Sequence, residues 1–266
     1  MIKLQYLPVT TCIWFLSTFI ITYIIAVKTR SVYYFFPYIS EAGALPPASC
    51  VFSQLENLGA LLLQCLMYVR YRQVEHDIKT QNIKLHSKWN SVAFKISISV
   101  CLGISITANF QENNILIVHL IGALMAFGIG SVYLALQTRI SYAYVSACQR
   151  SIPKWMFYLR VLLAVPMLPI LILIVVCEVL GGAKFTGESK MWWTEENEGH
   201  NFRLASTFSE WILALIIFTY ISTFSNEMKG IEFEGVQLKV NDNQTCERVN
   251  DSSTVPLNSD SMTSCT

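Results

Sequence analysis

The sequence has few charged residues and no excess of one sign. Only 14% of its 266 residues are charged, whereas a soluble domain carries about 25%. The formal net charge is +1, so the chain offers no basic face that could neutralise a phosphate backbone. These two absences exclude an ordinary soluble domain and argue against a nucleic-acid partner.

The short motifs that mark catalytic or metal sites are also missing. The eight cysteines are scattered, without CxxC pairs or zinc-ligand spacing, which excludes a disulfide framework and a metal cluster. The sequence contains no HExxH and no GxSxG, and its scattered histidines and carboxylates do not form a zinc-binding set. We therefore expect no catalytic residues, no metal and no cofactor.

What the sequence does contain is long apolar runs, since 53% of its residues are hydrophobic. A helix of about 20 mostly apolar residues crosses a bilayer core, and helix is the only open-chain structure that satisfies every backbone group in lipid. The runs that qualify are Leu4–Val27, Phe52–Val69, Val92–Phe110, Ile115–Thr138, Met156–Leu180 and Leu204–Phe224. They predict an all-α, polytopic bundle of six transmembrane helices.

Lysine and arginine in the loops predict the orientation, because they are enriched on the cytosolic side. The loops after the second and fourth helices, with the adjoining helix ends, hold ten basic residues, against five on the opposite side. Both termini are then cytosolic, and the loop from Lys28 to Val51 faces outside or into a lumen. We expect a transmembrane domain over residues 1–224 and a largely disordered cytosolic tail over 225–266, because the tail is too polar to form a core.

Small residues and prolines predict how the helices pack. Two runs carry a small residue at every fourth position, which lets helix backbones approach closely: Ser99, Gly103 and Thr107 in the third, and Gly122, Ala126 and Gly130 in the fourth. The turn between these runs is short, so they form an antiparallel hairpin. Pro166 and Pro169 lie within the fifth run and should kink it.

Polar side chains within the apolar runs collect near the lumenal ends of five helices. They are Glu56, Asn57, Asn109, His119, Glu178 and Glu210. Such groups are costly in lipid and suggest function. One interpretation is a polar pocket, open to the lumen, that binds a lipid headgroup or a small solute or senses protons. The other is that they are interfacial residues or hydrogen bonds between helices.

His119 sharpens the choice, because histidine changes charge between pH 5 and 8. If Glu210 or Glu56 lies within reach, protonated His119 could pair with it and tighten the lumenal ends of the helices. The alternative is a neutral histidine that forms a hydrogen bond between helices.

Several stretches resemble the damage-regulated autophagy modulator family, within the wider FRAG1/DRAM/Sfk1 group. They are PYISEAGALPPASC (37–50), YVRYRQV (68–74), GISITANFQ (103–111), HLIGALMAFGIGSVYLALQTRISY (119–142) and SEWILAL (209–215). The resemblance implies a six-helix protein of lysosomal and late endosomal membranes that promotes autophagy without an established catalytic activity. Its partners are then the lipid bilayer, lipid headgroups and autophagy or trafficking proteins.

The same resemblance keeps an alternative open. Relatives act in phosphoinositide regulation at the plasma membrane and in the remodelling of GPI-anchor lipids in the Golgi. The alternative is therefore a lipid-handling or transport protein of the plasma membrane or Golgi that uses the lumenal polar pocket.

Three local predictions follow the resemblance. Tyr38, Ile39 and Ser40 in the opening loop lie near the polar layer and serve either recognition or gating, or a purely structural role. Cys50 and Cys177 lie near the oxidising side and match cysteines of the family, so a disulfide between them is a candidate. Tyr71 and Val74 form a Tyr-x-x-apolar sequence typical of cytosolic sorting signals.

Overall fold

The computed structural model describes residues 3–147 and 152–231, and these residues contain helices but no strand. Within them, six helical segments are long and apolar enough to cross a membrane, which confirms the predicted all-α bundle. The six spans are Leu4–Lys28, Ala48–Lys79, Ser87–Asn109, Leu116–Ser146, Lys154–Lys184 and His200–Asn226. The tail from residue 232 onward, which the sequence predicts to be disordered, lies outside the described residues.

The helices of the described residues are α1 (Leu7–Lys28), α2 (Ile39–Ala42), α3 (Ala48–Lys79), α4 (Ser87–Asn109), α5 (Leu116–Ala123), α6 (Gly130–Ser146), α7 (Lys154–Ala164), α8 (Met167–Lys184) and α9 (His200–Ser222). Short 3₁₀ turns lie at Leu4–Tyr6, Lys190–Trp192 and Thr223–Asn226. The second span is the longest of these helices because it continues past its apolar run into a polar, solvent-facing end at Lys79.

The third and fourth spans pack as closely as the small residues predict. A Cβ atom added to Gly103 would lie 2.5 Å from the Cβ of Met125 and 2.7 Å from the backbone nitrogen of Ala126. One added to Gly122 would lie 2.6 Å from the hydroxyl oxygen of Thr107. The two backbones therefore touch where these glycines meet, and a larger side chain at either position would push the helices apart.

The fourth span is not a continuous α-helix. Between α5 and α6 it contains a π-helical segment, Leu124–Ile129, in which the backbone takes a wider turn. Such segments are rare and occur mainly as single turns within α-helices, frequently at functional sites. Here the segment places Ala126 and Phe127 against the interior cavity described below.

The fifth span is broken at its first proline. Helix α7 ends at Ala164, and α8 begins at Met167 with Pro166 at its N-cap position. A proline has no backbone N–H and its ring clashes with the preceding turn, so the helix cannot run through it unbroken. The predicted kink is thus confirmed at Pro166, while Pro169 lies in the first turn of α8, where proline is tolerated.

Consecutive spans run in opposite directions, so the bundle has two ends. One end, the loop face, carries residues 29–47 and 185–199. These two loops meet where the backbone N–H of Tyr33 donates to the carbonyl of Met191 at 2.8 Å. The other end, the terminal face, carries the start of the first span, residues 80–86 and the end of the sixth span.

Candidate functional site

The opening loop is fastened to the sixth span by an aromatic contact and by hydrogen bonds. Phe36 stacks on Phe208 with ring centroids 3.9 Å apart. The indole N–H of Trp211 donates to the carbonyl of Pro37 at 3.1 Å. The short helix α2 follows directly. The loop therefore has a fixed position over the bundle.

Glu210 holds the start of α2 from below. Its Oε2 atom accepts a hydrogen bond of 2.8 Å from the backbone N–H of Ile39. Ile39 is buried, while Ser40 beside it is half-buried and donates to Glu112 at 3.3 Å. The predicted loop residues Tyr38, Ile39 and Ser40 thus lie next to the predicted carboxylate of Glu210. We call Tyr38 and α2, which cover this end of the bundle, the roof.

Tyr38 joins the roof to the fifth span. Its hydroxyl donates to Oε2 of Glu178 at 2.7 Å. The other oxygen of Glu178 lies 3.4 Å from the ammonium of Lys190, in a pair that is partly exposed to solvent. Glu178 therefore acts from the rim of the roof, where it faces both the loop and the solvent.

An ion pair that the sequence did not predict crosses the roof. Arg203 contacts Oε2 of Glu41 at 2.5 Å, and both side chains are buried. The Arg203 guanidinium lies over the rings of Tyr38 and Trp193, at 5.4 Å and 5.1 Å from their centroids. Cation–π contacts of this kind stabilise a desolvated guanidinium.

The carboxyl group of Glu41 titrates unusually. It also accepts a hydrogen bond of 3.2 Å from the backbone N–H of Tyr38. Burial raises the pKa of Glu41 from 4.5 to about 7, although the charge of Arg203 acts in the opposite direction. The roof thus contains a carboxyl group whose proton occupancy changes between neutral and mildly acidic pH.

Glu56 lies deeper, in the second span, and is buried with 5% of its surface exposed. Its Oε1 atom has no hydrogen-bond partner among the residues that the structure describes. It lines an interior cavity of about 110 Å³, together with Glu210 and the roof residues Ile39 and Ser40. The structure therefore brings Glu56 and Glu210 to the same cavity, beneath the predicted loop.

The other members of the predicted polar layer lie apart from this cavity. Asn57 and Asn109 form hydrogen bonds of 3.3 Å with each other, and Asn57 also accepts one of 2.6 Å from Ser105. This small network joins the second and third spans. Here the interpretation as helix-to-helix hydrogen bonding describes the contacts.

His119 likewise binds within its own hairpin. Its ring Nδ1 lies 2.9 Å from the carbonyl oxygen of Phe110, to which it donates. The hypothesis that His119 pairs with Glu56 or Glu210 is therefore not supported, since Glu210 is engaged with Ile39 instead. The geometry matches the alternative, a buried histidine whose hydrogen bond joins the third and fourth spans.

Two further predictions do not match the geometry. Cys50 and Cys177 are both free thiols, the first exposed and the second buried, so the predicted bridge is not formed. Tyr71 and Val74 lie within α3, where the Tyr71 ring stacks on Phe94 at 4.7 Å and Val74 is fully buried. A sorting receptor could not reach Val74 there, so the structure argues against this signal.

The terminal face holds a second charged cluster that the sequence did not reveal. Arg70 and Arg160 are both fully buried and both pair with Glu227, the former at 2.5 Å. The guanidinium carbons lie 5.3 Å and 4.9 Å from the ring centroid of Phe224. The cluster joins the second, fifth and sixth spans, and Glu227 lies three residues beyond the predicted end of the transmembrane domain.

Polar side chains complete this cluster. The Nε of Arg70 donates to Gln137 at 3.3 Å, and Arg160 donates to Thr223 at 2.9 Å and to Ser141 at 2.6 Å. With two guanidinium groups and one carboxylate, the cluster has a formal charge of +1. Its contacts fix four spans to one another.

The described residues contain no group of three or more His, Cys, Asp or Glu side chains that could hold a metal ion. The features that remain as a candidate functional site are therefore the roof and the cavity beneath it. The cavity combines two carboxyl groups with apolar walls, an arrangement that can bind a small, partly apolar ligand.

The chain is similar to known proteins along most of its length. A family described as the Frag1/DRAM/Sfk1/Cwh43P N-terminal domain matches residues 3–231. DNA damage-regulated autophagy modulator protein 2 of Mus musculus is 33% identical over 231 residues, which cover 86% of this chain and 85% of that protein.

Two human proteins show comparable similarity. DNA damage-regulated autophagy modulator protein 2 of Homo sapiens is 30% identical over 260 residues, covering 97% of this chain and 94% of that protein. DNA damage-regulated autophagy modulator protein 1 of Homo sapiens is 30% identical over 232 residues, covering 86% and 92%. No solved structure matches the chain.

Proposed function

Because the chain belongs to the Frag1/DRAM/Sfk1/Cwh43P family, we propose that it is a non-catalytic membrane protein that modulates autophagy in the lysosomal or late endosomal membrane. The observation that carries this proposal is the extent of the similarity, which reaches 97% of this chain with one human autophagy modulator. The names of these relatives state the modulation of a process, not a reaction. The similarity supports the same role for this chain.

In this proposal the loop face points into the lumen. Support comes from the basic residues, which number ten in the loops and helix ends of the terminal face and five at the loop face. The roof, with its Glu41–Arg203 pair, would then meet the acidic lumen, and the cluster around Glu227 would lie next to the cytosol.

We propose that the protein acts through lipid and protein partners. At the loop face, Tyr34, Phe35 and Trp192 are 61%, 43% and 46% exposed. Aromatic side chains of this kind sit at the level of the lipid headgroups, where an apolar ring meets polar surroundings. They support contact with headgroups around the roof, and the fixed loop supplies a defined surface for autophagy or trafficking proteins.

The test is to delete the gene in cells and to measure autophagic flux and the location of a tagged, re-expressed protein. We expect reduced flux that the wild-type protein restores, with the tag in lysosomal or late endosomal membranes. Normal flux with altered phosphoinositide or GPI-lipid species would contradict the proposal and favour lipid handling. A tag confined to the plasma membrane or Golgi would contradict the proposed location.

A matched pair of variants tests the role of the roof. Arg203→Ala removes the buried partner of Glu41, whereas Lys190→Ala removes the exposed partner of Glu178. If partners recognise the roof, Arg203→Ala should fail to restore flux while Lys190→Ala restores it, at equal protein levels. Full restoration by both would show that the shape of the roof does not matter for autophagy.

A further inference from the structure

The interior cavity differs from an ordinary packing gap in its combination of walls and polar groups. Its volume is about 110 Å³. An apolar cavity of roughly 150 Å³ in a protein core stays dry and accepts benzene, so this cavity can take an apolar group of similar scale. Its walls include Phe15, Phe52, Met67, Leu134 and Phe218 from four of the spans.

The charge of the cavity is one-sided. Two carboxyl groups, Glu56 and Glu210, line it. Among its described lining residues there is no Lys, Arg or His. A phosphate or carboxylate group in this space would face two acidic side chains without a cation. Since buried charges need a partner of opposite sign, the cavity selects against anionic ligands.

The unpartnered oxygen of Glu56 indicates that a ligand of this cavity should carry a hydrogen-bond donor. Oε1 of Glu56 has no hydrogen-bond partner in the described part of the chain, and its residue is 5% exposed. A buried acceptor without a donor is unfavourable, because the desolvation of that atom is not compensated by a hydrogen bond. One oxygen of Glu210 accepts a hydrogen bond from the N–H of Ile39, and a carboxylate can accept further hydrogen bonds. Both groups can therefore accept hydrogen bonds from one ligand.

We propose that the cavity binds the amine end of a lipophilic amine, whose ammonium group is held by Glu56 and Glu210 beneath Ile39 and Ser40 while the adjoining carbons contact the apolar walls. An ammonium has three N–H donors and one positive charge, which satisfies the free acceptor and neutralises the acidic end. The same chemistry occurs in a membrane-resident, long-chain amine and in a small, free lipophilic amine. This site is independent of the role in autophagy.

The experiment uses the full chain, purified in lipid nanodiscs, with n-hexylamine and a C18 long-chain amine as probes. Affinity is measured by competition against a photoreactive alkylamine, and its crosslinks are mapped by mass spectrometry. n-Hexanol and n-hexanoate, of matched length, serve as comparisons. We expect crosslinks on the cavity walls and the order amine, then alcohol, then acid.

Variants separate the two parts of the site. Glu56→Gln and Glu210→Gln should each weaken amine binding by about tenfold or more, because each removes a charged partner of the ammonium. Glu188→Gln, which changes an exposed carboxyl at the loop face outside the cavity, should leave binding unchanged. Ala214→Leu keeps both carboxyls and fills the apolar space, so it should abolish binding while the variant remains folded in a thermal scan.

Each result of these measurements either supports the proposed amine site or contradicts it. Binding of the C18 amine alone assigns a membrane lipid as the source, binding of hexylamine assigns a free amine, and both support the site. Equal binding of amine and alcohol, unaffected by Glu56→Gln, would overturn recognition of the charge. No crosslink in the cavity, or binding unaffected by Ala214→Leu, would overturn the site itself.

Discussion

Replacing Glu227 by glutamine should strongly destabilise the terminal face of the bundle. Arg70 and Arg160 are both fully buried, and both pair with this one carboxylate. Glutamine keeps the shape of the side chain but removes its charge. The variant then leaves two positive groups buried without an anion, which is the costly way to break such a cluster.

The magnitude follows from the burial of all three groups. Removing one partner of a buried ion pair costs about 3–5 kcal/mol, which shifts the melting temperature of a domain of this size by roughly 6–20 °C. The matched control is Glu75→Gln, since Glu75 pairs with the exposed Arg72 and Lys79 at 3.2 Å. Exposed pairs contribute about 0–1 kcal/mol, so the control should shift by roughly 4 °C or less.

The assay is thermal unfolding of the purified protein in detergent micelles, followed by tryptophan fluorescence. A third variant distinguishes a lost ion from lost packing: Arg70→Met, Arg160→Met and Glu227→Leu combined. It removes all three charges and should recover most of the stability lost in Glu227→Gln. Equal, small shifts in Glu227→Gln and Glu75→Gln would refute the reasoning, because the cluster would then contribute no more than a surface pair.

Three further predictions concern packing, pH and orientation. Gly103→Leu should lower stability by about 1–3 kcal/mol in the same thermal assay, whereas Gly130→Ala, whose added Cβ has its nearest neighbour at 3.8 Å, should be tolerated. The raised pKa of Glu41, about 7 against 4.5, means that the folded state binds this proton more tightly, so the stabilisation is complete below pH 4.5 and is lost as the pH rises through 7. The melting temperature of the wild type minus that of Glu41→Gln should increase as the pH is lowered from about 8 to about 5. A difference that stays constant with pH would contradict this prediction. The sequons at Asn243 and Asn250 should carry no glycan in cells, and a glycan on either would invert the proposed orientation.

The membrane-spanning architecture could be predicted because it depends on local composition. A run of about 20 apolar residues has one stable form in lipid, and each of the predicted runs overlaps a span of the described chain. The close contact at Gly103 and the break at Pro166 are equally local, since they follow from a missing side chain and a missing N–H.

The charged contacts could not be predicted, because they depend on which way each helix is turned. Arg70 and Arg160 lie near the ends of their spans, where a basic residue usually reaches the headgroups, so the sequence indicated orientation and not burial. Glu41 and Arg203 are 162 residues apart along the chain, and no local pattern joins them. A signal was present, however: Glu41 follows Tyr38, Ile39 and Ser40 within the stretch that resembles the family.

For His119, its predicted depth along the helix was not enough to predict which residue it contacts. Residue counting predicted only the depth of His119 along its helix and carried no information about its rotation about the helix axis. In the structure its ring points to the carbonyl of Phe110 on the neighbouring span. Depth is readable from residue counting at 1.5 Å per residue, but the choice of neighbour is made by packing.

The π-helical segment in the fourth span has a consequence for mutation. A π-helical turn closes its hydrogen bond one residue later than an α-helical turn, so Leu124–Ile129 can absorb the loss of one residue by closing to α-helix. A deletion among residues 131–136 of α6 would instead rotate every later side chain by about 100° relative to Gly122. Gln137, Ser141 and Tyr144 would then leave the guanidinium groups of Arg70 and Arg160 that they now face. Because the wide turn contains one extra residue, the span should tolerate a single deletion within Leu124–Ile129 far more readily than one within the neighbouring α6.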